Sequence, residues 1–422
     1  MLRAPFRVAA LSHCKDLLTI TWQDGKQSNF PNIWLRSAVR DPIIFNAGSL
    51  IYKRDEYIDF IRKEPPLVCA QHEKGSEDIL VEWGDHFGTF NASWLRAQDQ
   101  NINKDLCKEP DITLWDANSK FPIYEYSERK ETFRTWFNDL RKYGLAIFKG
   151  VPPNENGLMG IMHSIGQEAQ RVHPTNVQHI LHDSKIEQGF SYAYSSGAHP
   201  MHVDTPYYGT MHRLTALLGK RYNAPVKDTY NFLVDNLKVI EDMRQDEPEA
   251  YELLRTIPVS LSRRRLTVPE KCKNPEDHYL YQLDLVEHKP MIDYDTREKQ
   301  EYINMTNKQA GVNFRFIKDQ ATMKRYYDAY RLLQKKLDDE AYKQRLLLKE
   351  GTAILMNNGR VSHGRDAIHQ TTSREILLAL LSEGMWNSRW RILKGQQSGL
   401  EEKWLYACPH QTLDILAERM DK

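Results

Sequence analysis

The chain has 422 residues, 41% of them hydrophobic and 10% aromatic, which suits two or three folded domains and excludes a disordered chain. A formal net charge of +1 argues against nucleic acid or an acidic membrane as the main partner. No apolar run approaches the roughly 20 residues that span a bilayer.

Met1 to Arg7 is basic and no acidic residue precedes Asp16, so mitochondrial import is one reading of the start. A strand pattern has begun by Leu17-Leu18-Thr19-Ile20. The first hundred residues then echo themselves. Trp22-Gln23-Asp24-Gly25 leads through Phe30 to Trp34-Leu35-Arg36, and Trp83-Gly84-Asp85 leads through Phe90 to Trp94-Leu95-Arg96. Each reads as a strand, a polar turn and a second strand ending in an apolar-basic step, making two similar hairpins in one small β-rich domain. Residues 98–120 are polar and read as a linker. Cys14, Cys69, Cys107, Cys272 and Cys408 have no paired spacing, as for reduced thiols in an intracellular protein.

From Glu131 the period becomes helical. Phe133, Trp136, Phe137, Leu140 and Tyr143 share a face and Gly144 supplies a stop. A buried strand follows at Leu145 to Phe148, then a helix from Leu158 to Ile165. Further helices are expected around Asn236 to Arg244, after Pro248 and from Thr322 to Asp338. Strands are expected at Tyr192 to Ser195, Met201 to Asp204, Leu214 to Leu218, Tyr230 to Val234, Met291 to Tyr294, Tyr302 to Met305, Gln344 to Leu348, Thr352 to Met356 and Ile376 to Leu381. Many strands with helices before and between them indicate an α+β domain whose core is a two-sheet roll.

The chemistry centres on His202-Val203-Asp204, between Pro200 and Pro206. In an extended segment, residues two apart share a face, so His202 and Asp204 can offer an imidazole nitrogen and a carboxylate oxygen to one metal. Two His and one carboxylate form the open set that suits non-haem Fe(II). His363, in Ser362-His363-Gly364-Arg365, is the candidate third ligand, with Gly364 leaving room for small molecules. Among fifteen histidines a lone His-x-Asp pair is a weak signal, and a hydrogen-bonded His beside a turn Asp is commoner. His199 and His212 compete as ligands but lack a carboxylate two residues away. Arg374 opens the apolar run Ile376 to Leu381, and a guanidinium leading a buried strand needs an anion. The distal carboxylate of 2-oxoglutarate fits, through two parallel hydrogen bonds. A surface arginine is the bland alternative.

These motifs, with Pro31, Ala193-Tyr194, Val234-Asp235, Ile303-Asn304 and Arg389-x-Arg391-Ile392-Leu393, resemble the iron- and 2-oxoglutarate-dependent oxygenase family containing γ-butyrobetaine and trimethyllysine dioxygenases. More distantly they are similar to taurine dioxygenases, and the resemblance covers nearly the whole chain. It implies iron held by His202, Asp204 and His363, 2-oxoglutarate anchored by Arg374, and O2 and a small molecule as the other reactants. It implies hydroxylation of a betaine, as in carnitine biosynthesis. The implied fold is a double-stranded β-helix (jelly roll) at 120–400, behind a small β domain at 1–105 and before a tail at 401–422. The family is commonly homodimeric. Because the match begins near Phe6, little chain is left for a presequence, which favours the cytoplasm.

Two departures stand out. Ser37-Ala38-Val39-Arg40-Asp41 replaces the Cys-x-Cys-x-x-Cys that binds zinc in family members, leaving His86 without partners, so no structural zinc is expected. A trimethylammonium group is best recognised by aromatic faces. Tyr194 matches a cage tyrosine, but Val177, Leu181 and Leu380 stand where the family has its other aromatics. Tyr192, Tyr207, Tyr208 and Trp386 are candidate substitutes, and Tyr194, Tyr192, Tyr207 and Asn304 are the expected substrate residues. A bulkier or more apolar betaine fits better than γ-butyrobetaine itself. The alternatives are an oxygenase acting on another small acid, a non-catalytic binding protein that kept the barrel, and a zinc hydrolase using the same ligands.

Overall fold

The computed structural model describes residues 7–39, 41, 44–46, 51–99, 112–166, 177–182, 193, 195–208, 212–265, 274, 283–295, 300–306, 309–312 and 315–397. The chain divides into two compact units. One takes the chain up to Glu109 together with the chain from Trp390 onward, and the other is Pro110–Arg389. Among the described residues no helix is long and apolar enough to cross a membrane.

In the first unit the echo becomes two copies of one motif. Val8–Cys14, Leu17–Trp22 and Gln27–Pro31 form an antiparallel meander followed by the helix Asn32–Ser37. Leu67–His72, Asp78–Trp83 and His86–Asn91 repeat it, followed by the helix Ala92–Gln98. Alternation buries Leu18, Ile20 and Trp22 in one copy and Ile79, Val81 and Trp83 in the other. The Trp-Leu-Arg step, expected at a strand end, lies on the helix in both copies. It is too short to show a period, and the available signal was the cap before it in the second copy, where the Asn91 side chain accepts from Trp94 N; the first copy begins behind Pro31 with no side-chain cap.

That helix lets each arginine reach across. Arg36 grips Asp85 with two hydrogen bonds of 3.0 and 2.8 Å, and Arg96 grips Asp24 with two of 3.2 and 2.7 Å. Each copy therefore holds the turn of the other. Phe60 stacks 3.8 Å under the Arg36 guanidinium, and the Arg96 guanidinium lies 5.2 Å from the centre of the Trp22 ring.

In the second unit Phe133–Tyr143 buries Trp136, Phe137 and Leu140 and ends at Gly144, whose φ of 79° is left-handed. A six-stranded sheet has the order Gln178–His182, Ser373–Ser382, His212–Asn223, Ala353–Asn357, Leu145–Lys149, Ile123–Glu125. A four-stranded sheet has the order His199–His202, Val361–Arg365, Asn231–Asp235, Gln344–Leu346. The helix Glu155–Ile165 covers the strand Ser373–Ser382. With both faces buried, that strand reads as an unbroken apolar run. The helices Asn236–Asp246, Pro248–Thr256 and Gln320–Asp338 pack together over Val239, Ile240, Leu254 and Leu333.

Several expectations need correction. The strand around His202 runs His199–His202 and stops before Asp204. The antiparallel pair Pro258–Arg265 and Leu283–Pro290 went unread, because Arg263-Arg264-Arg265 masks its alternation. The later half of the supposed linker is fixed in the second unit. Trp115 is 2% exposed and its indole donates to the Tyr143 carbonyl at 2.6 Å.

The reciprocal pairs of the first unit give it an acid limit. The Arg96 hydrogen bond holds the Asp24 carboxyl below its ordinary range. At Asp85 burial pushes upward, but the hydrogen bond and charge of Arg36 outweigh it. A carboxyl depressed by folding stabilises above its unfolded value of about 4 and loses that contribution as pH falls through the folded one. At neutral pH the wild type should therefore melt above an Asp24→Asn/Asp85→Asn variant, and the gap should close below about pH 4. A gap unchanged in acid would show that these pairs do not stabilise the fold.

Candidate active site

The chain passes from the six-stranded to the four-stranded sheet through the 357–360 turn, and the candidate ligands gather beside it. His202 closes its strand opposite His363, which antiparallel pairing puts on the neighbouring strand. Asp204 lies past the strand end, in a bend. It is held there by Asn358, a fully buried side chain. The Asn358 Oδ1 accepts from Asp204 N at 2.8 Å, while Nδ2 donates to Asp204 O at 2.7 Å and to His212 O at 3.1 Å. The next residue, Thr205, has a φ of 58°. For a β-branched residue this left-handed backbone costs about 1–3 kcal/mol. Its hydroxyl hydrogen-bonds His212 Nδ1 at 2.9 Å, so that imidazole is already engaged.

One ligand atom from each of His202, Asp204 and His363 lies within 4.8 Å of the others. His202 Nε2 is 3.7 Å from Asp204 Oδ1, and His363 Nε2 is 3.6 Å from Oδ2. These separations are too long for hydrogen bonds and leave room for a shared ion. His202 Nδ1 is 2.9 Å from the Pro200 carbonyl. A carbonyl only accepts, so Nδ1 carries the proton and Nε2 presents its lone pair to the cluster. Burial, then the neighbouring His202, pushes His363 down to about 4, which keeps it neutral. Burial pushes Asp204 up, but His363, His202 and the Thr215 hydroxyl outweigh it and hold the carboxylate ionised. This donor set fits a divalent metal.

Arg374 is 2% exposed and lines the same cavity. Its Nη2 donates to Asn231 Oδ1 at 3.2 Å, while Nε and Nη1 are buried with no hydrogen-bond partner among the described residues. Burial lowers it only to about 10, so the charge persists at neutral pH. A buried cation with two idle donors is costly unless an anion completes it. A carboxylate of 2-oxoglutarate matches that need. Register explains the placement: Arg374, Ile376, Leu378 and Leu380, each two residues apart, all face the cavity.

Of the expected substrate residues, Tyr207 lines the cavity, whereas Asn304 does not and donates to the Pro290 carbonyl at 2.8 Å. Tyr192 and Tyr194 lie outside the described residues. Trp386 packs on Phe137, away from the cavity lining. His199 lines the cavity and stacks on His202 with ring centroids 4.0 Å apart. The space beside Gly364 is taken by the adjoining strand, since a Cβ there would meet the His199 carbonyl and Met201 Sδ, each at 2.8 Å. Sequence reasoning missed Asn358, Arg263, Asn231 and His182. The Asn-Asn-Gly turn just before His363 was the available signal for the first.

Residues 108–380 match the Taurine catabolism dioxygenase TauD, TfdA family, and the chain belongs to it. Gamma-butyrobetaine dioxygenase of Pseudomonas sp. (strain AK-1) is 24% identical over 363 residues, covering 83% of this chain and 86% of that one. Mitochondrial trimethyllysine dioxygenase of Bos taurus is 21% identical, covering 80% and 77%. Gamma-butyrobetaine dioxygenase of Homo sapiens is 21% identical, covering 90% and 94%. The protein is thus a divergent member, an enzyme of the 2-oxoglutarate-dependent non-haem iron dioxygenase class, with iron and 2-oxoglutarate as its cofactor and cosubstrate.

Asn358→Ala should test the clamp on Asp204. It removes the partner of three backbone groups, a cost on the order of 3 kcal/mol, and frees the carboxylate from its place. Calorimetric titration with Mn(II) should show affinity lowered by about tenfold or more, as when a partner that orients a ligand is lost. Unchanged Mn(II) affinity would mean the Asp204 backbone is placed without Asn358.

Proposed function

We propose that this dioxygenase holds Fe(II) through His202, Asp204 and His363, anchors 2-oxoglutarate through Arg374, and hydroxylates a small betaine-type substrate, a quaternary ammonium carboxylate. The observation that carries the reading is one cavity containing both a converging two-imidazole, one-carboxylate set and a buried guanidinium with idle donors. The named relatives support the substrate class, since γ-butyrobetaine and trimethyllysine each combine a trimethylammonium group with a carboxylate. The six- and four-stranded sheets, with residues of both lining the cavity, support a double-stranded β-helix at 120–400. The proposal takes 1–105 as a small N-terminal β domain and 401–422 as a tail. On the resemblance alone it includes a homodimer in the cytoplasm.

Bound iron, with 2-oxoglutarate and O2, supplies the oxidation in which a C–H becomes C–OH and 2-oxoglutarate becomes succinate and CO2. The chain's part is placement and exclusion of water. The Pro200 carbonyl fixes which nitrogen His202 offers, and Asn358 fixes where Asp204 stands. Arg374 takes the far carboxylate of 2-oxoglutarate, orienting its other end toward the ligand cluster. Leu217, Ile376, Leu378 and Leu380 supply an apolar wall. Tyr207 contributes to the substrate's surroundings from the cavity wall, and Tyr194, by its match to a cage tyrosine of the family, with Tyr192 as a substitute for the lost aromatics, supplies aromatic faces for the ammonium group.

Supplied with Fe(II), 2-oxoglutarate and a series of trimethylammonium carboxylates, the wild type should release succinate in step with substrate hydroxylation. His202→Ala and Arg374→Ala should each abolish both products while the melting temperature stays near that of the wild type. Normal turnover by either variant would remove that residue from its role. Zinc as the bound metal of anaerobically purified protein would favour a hydrolase instead.

A further inference from the structure

The charges lining the cavity are unbalanced. Among its described residues Arg263, Arg365 and Arg374 face a single carboxylate, Asp204. Arg374 is assigned above to 2-oxoglutarate. Arg365 is spent on main chain, its two Nη groups each donating at 2.8 Å to the carbonyls of Asp366 and Ser195. Arg263 remains.

Arg263 reaches the cavity from Pro258–Arg265, a strand outside the two sheets that carry the ligands. Its neighbour Arg264 is exposed and pairs with Asp284 at 2.8 Å. The Arg263 guanidinium lies over the Tyr207 ring, 5.9 Å from its centre. Burial, opposed by Arg263, pushes Tyr207 up to about 12, so the phenol stays neutral and does not balance the arginine. Among the described residues no carboxylate pairs with Arg263. A guanidinium facing a partly apolar cavity, with a phenol and no carboxylate beside it among the described residues, is prepared for an oxyanion.

We infer that Arg263, beside the Tyr207 ring, is the seat for a carboxylate of the substrate, so that the molecule being oxidised is an acid whose anionic end points to this wall. The Tyr207 face turned to Arg263 already carries a cation, and like charges repel at such range. A quaternary ammonium group therefore lies away from Tyr207, which orients a betaine within the cavity. The inference rests on the oxygenase reading of the site but not on the substrate being a betaine.

The test uses the full-length enzyme with Fe(II) and 2-oxoglutarate and three matched series of increasing chain length. These are trimethylammonium carboxylates beginning with γ-butyrobetaine, their carboxamides, and carbon isosteres with a tert-butyl group in place of the ammonium. For the best carboxylate, Arg263→Gln should lower kcat/KM by about tenfold or more through KM, the usual scale for one lost charge-assisted contact. KM for 2-oxoglutarate should be unmoved, and Arg263→Lys should recover part of the loss. If Arg263→Gln misfolds, the Lys variant and the acid-to-amide comparison in wild type still decide. Carboxamides as good as the acids, an unchanged KM in Arg263→Gln, or no carboxylate stimulating succinate release would overturn the inference. Turnover of the tert-butyl acids but not the ammonium series, with the same dependence on Arg263, would sustain it and remove the betaine reading. Betaine turnover indifferent to Arg263 would do the reverse.

Discussion

Both sheets and the candidate metal-binding cluster depend on one short crossing, the 357–360 turn, where each residue makes a contact that fixes a neighbouring element. Asn357 N donates to Gly144 O at 2.8 Å and ties the turn to the end of the first helix of its unit. Asn358 holds Asp204. The Gly359 carbonyl accepts from Asn236 Nδ2 at 3.0 Å. Arg360 is 2% exposed and pairs with the fully buried Asp235 through bonds of 3.2 and 3.1 Å. Its remaining donors reach the carbonyls of Arg141 and Lys142 in the last turn of that helix, and of Thr113 beside it. Gly144 is required twice over, for its left-handed φ and because a Cβ there would meet Arg360 Cδ at 2.7 Å. Three residues after Arg360 comes His363. The turn thus positions one candidate ligand through the chain and a second through a side chain, and strain at Thr205 is sustained because Asp204 is held from across the site.

The electrostatics follow from the same burial. Burial drives His199 down to about 2, His182 to about 3 and Arg365 to about 9. Imidazoles held neutral keep their lone pairs, whereas guanidinium groups, starting far higher, stay charged at neutral pH. The cavity is therefore a field of fixed cations around one carboxylate, which favours anionic small molecules. A dication would add to that excess, so its tolerance here depends on Asp204 and on the dianion that enters with it.

The sequence was most legible where periodicity and chemistry coincided. The helix from Phe133, its stop at Gly144 and the apolar strand after Arg374 follow from patterns that packing enforces. His202, Asp204 and His363 do come together, but not for the reason that suggested them. Two-residue alternation in an extended strand would have put His202 and Asp204 on one face, yet the strand ends between them and a distant amide does the work. Contacts of that kind join residues more than a hundred positions apart and leave no local period. Arg263 was hidden for a related reason, since Arg263-Arg264-Arg265 reads as a solvated charge run, while alternation turns its first member inward and its second to solvent.

The first unit shows how a repeat can hold itself together. Two short meanders cannot each bury both faces, and domains of this size commonly lean on staples. Here the staples are Arg36–Asp85 and Arg96–Asp24, strengthened because each arginine is buried under aromatic rings while its carboxylate stays partly wet. The segment beginning at Ser37, where family members carry cysteines, is held in other ways. Tyr52 and Tyr57 both donate to the Ser37 carbonyl, at 3.0 and 3.1 Å, and Asp41 lies 3.4 Å from His86 Nε2. Phenol-to-carbonyl bonds need neither a metal nor a thiolate, and each forms within the one chain. The Trp-x-Asp and Trp-Leu-Arg echo is therefore a record of mutual pairing: each copy keeps the aspartate the other needs, and changing one side alone would leave a buried guanidinium without its anion.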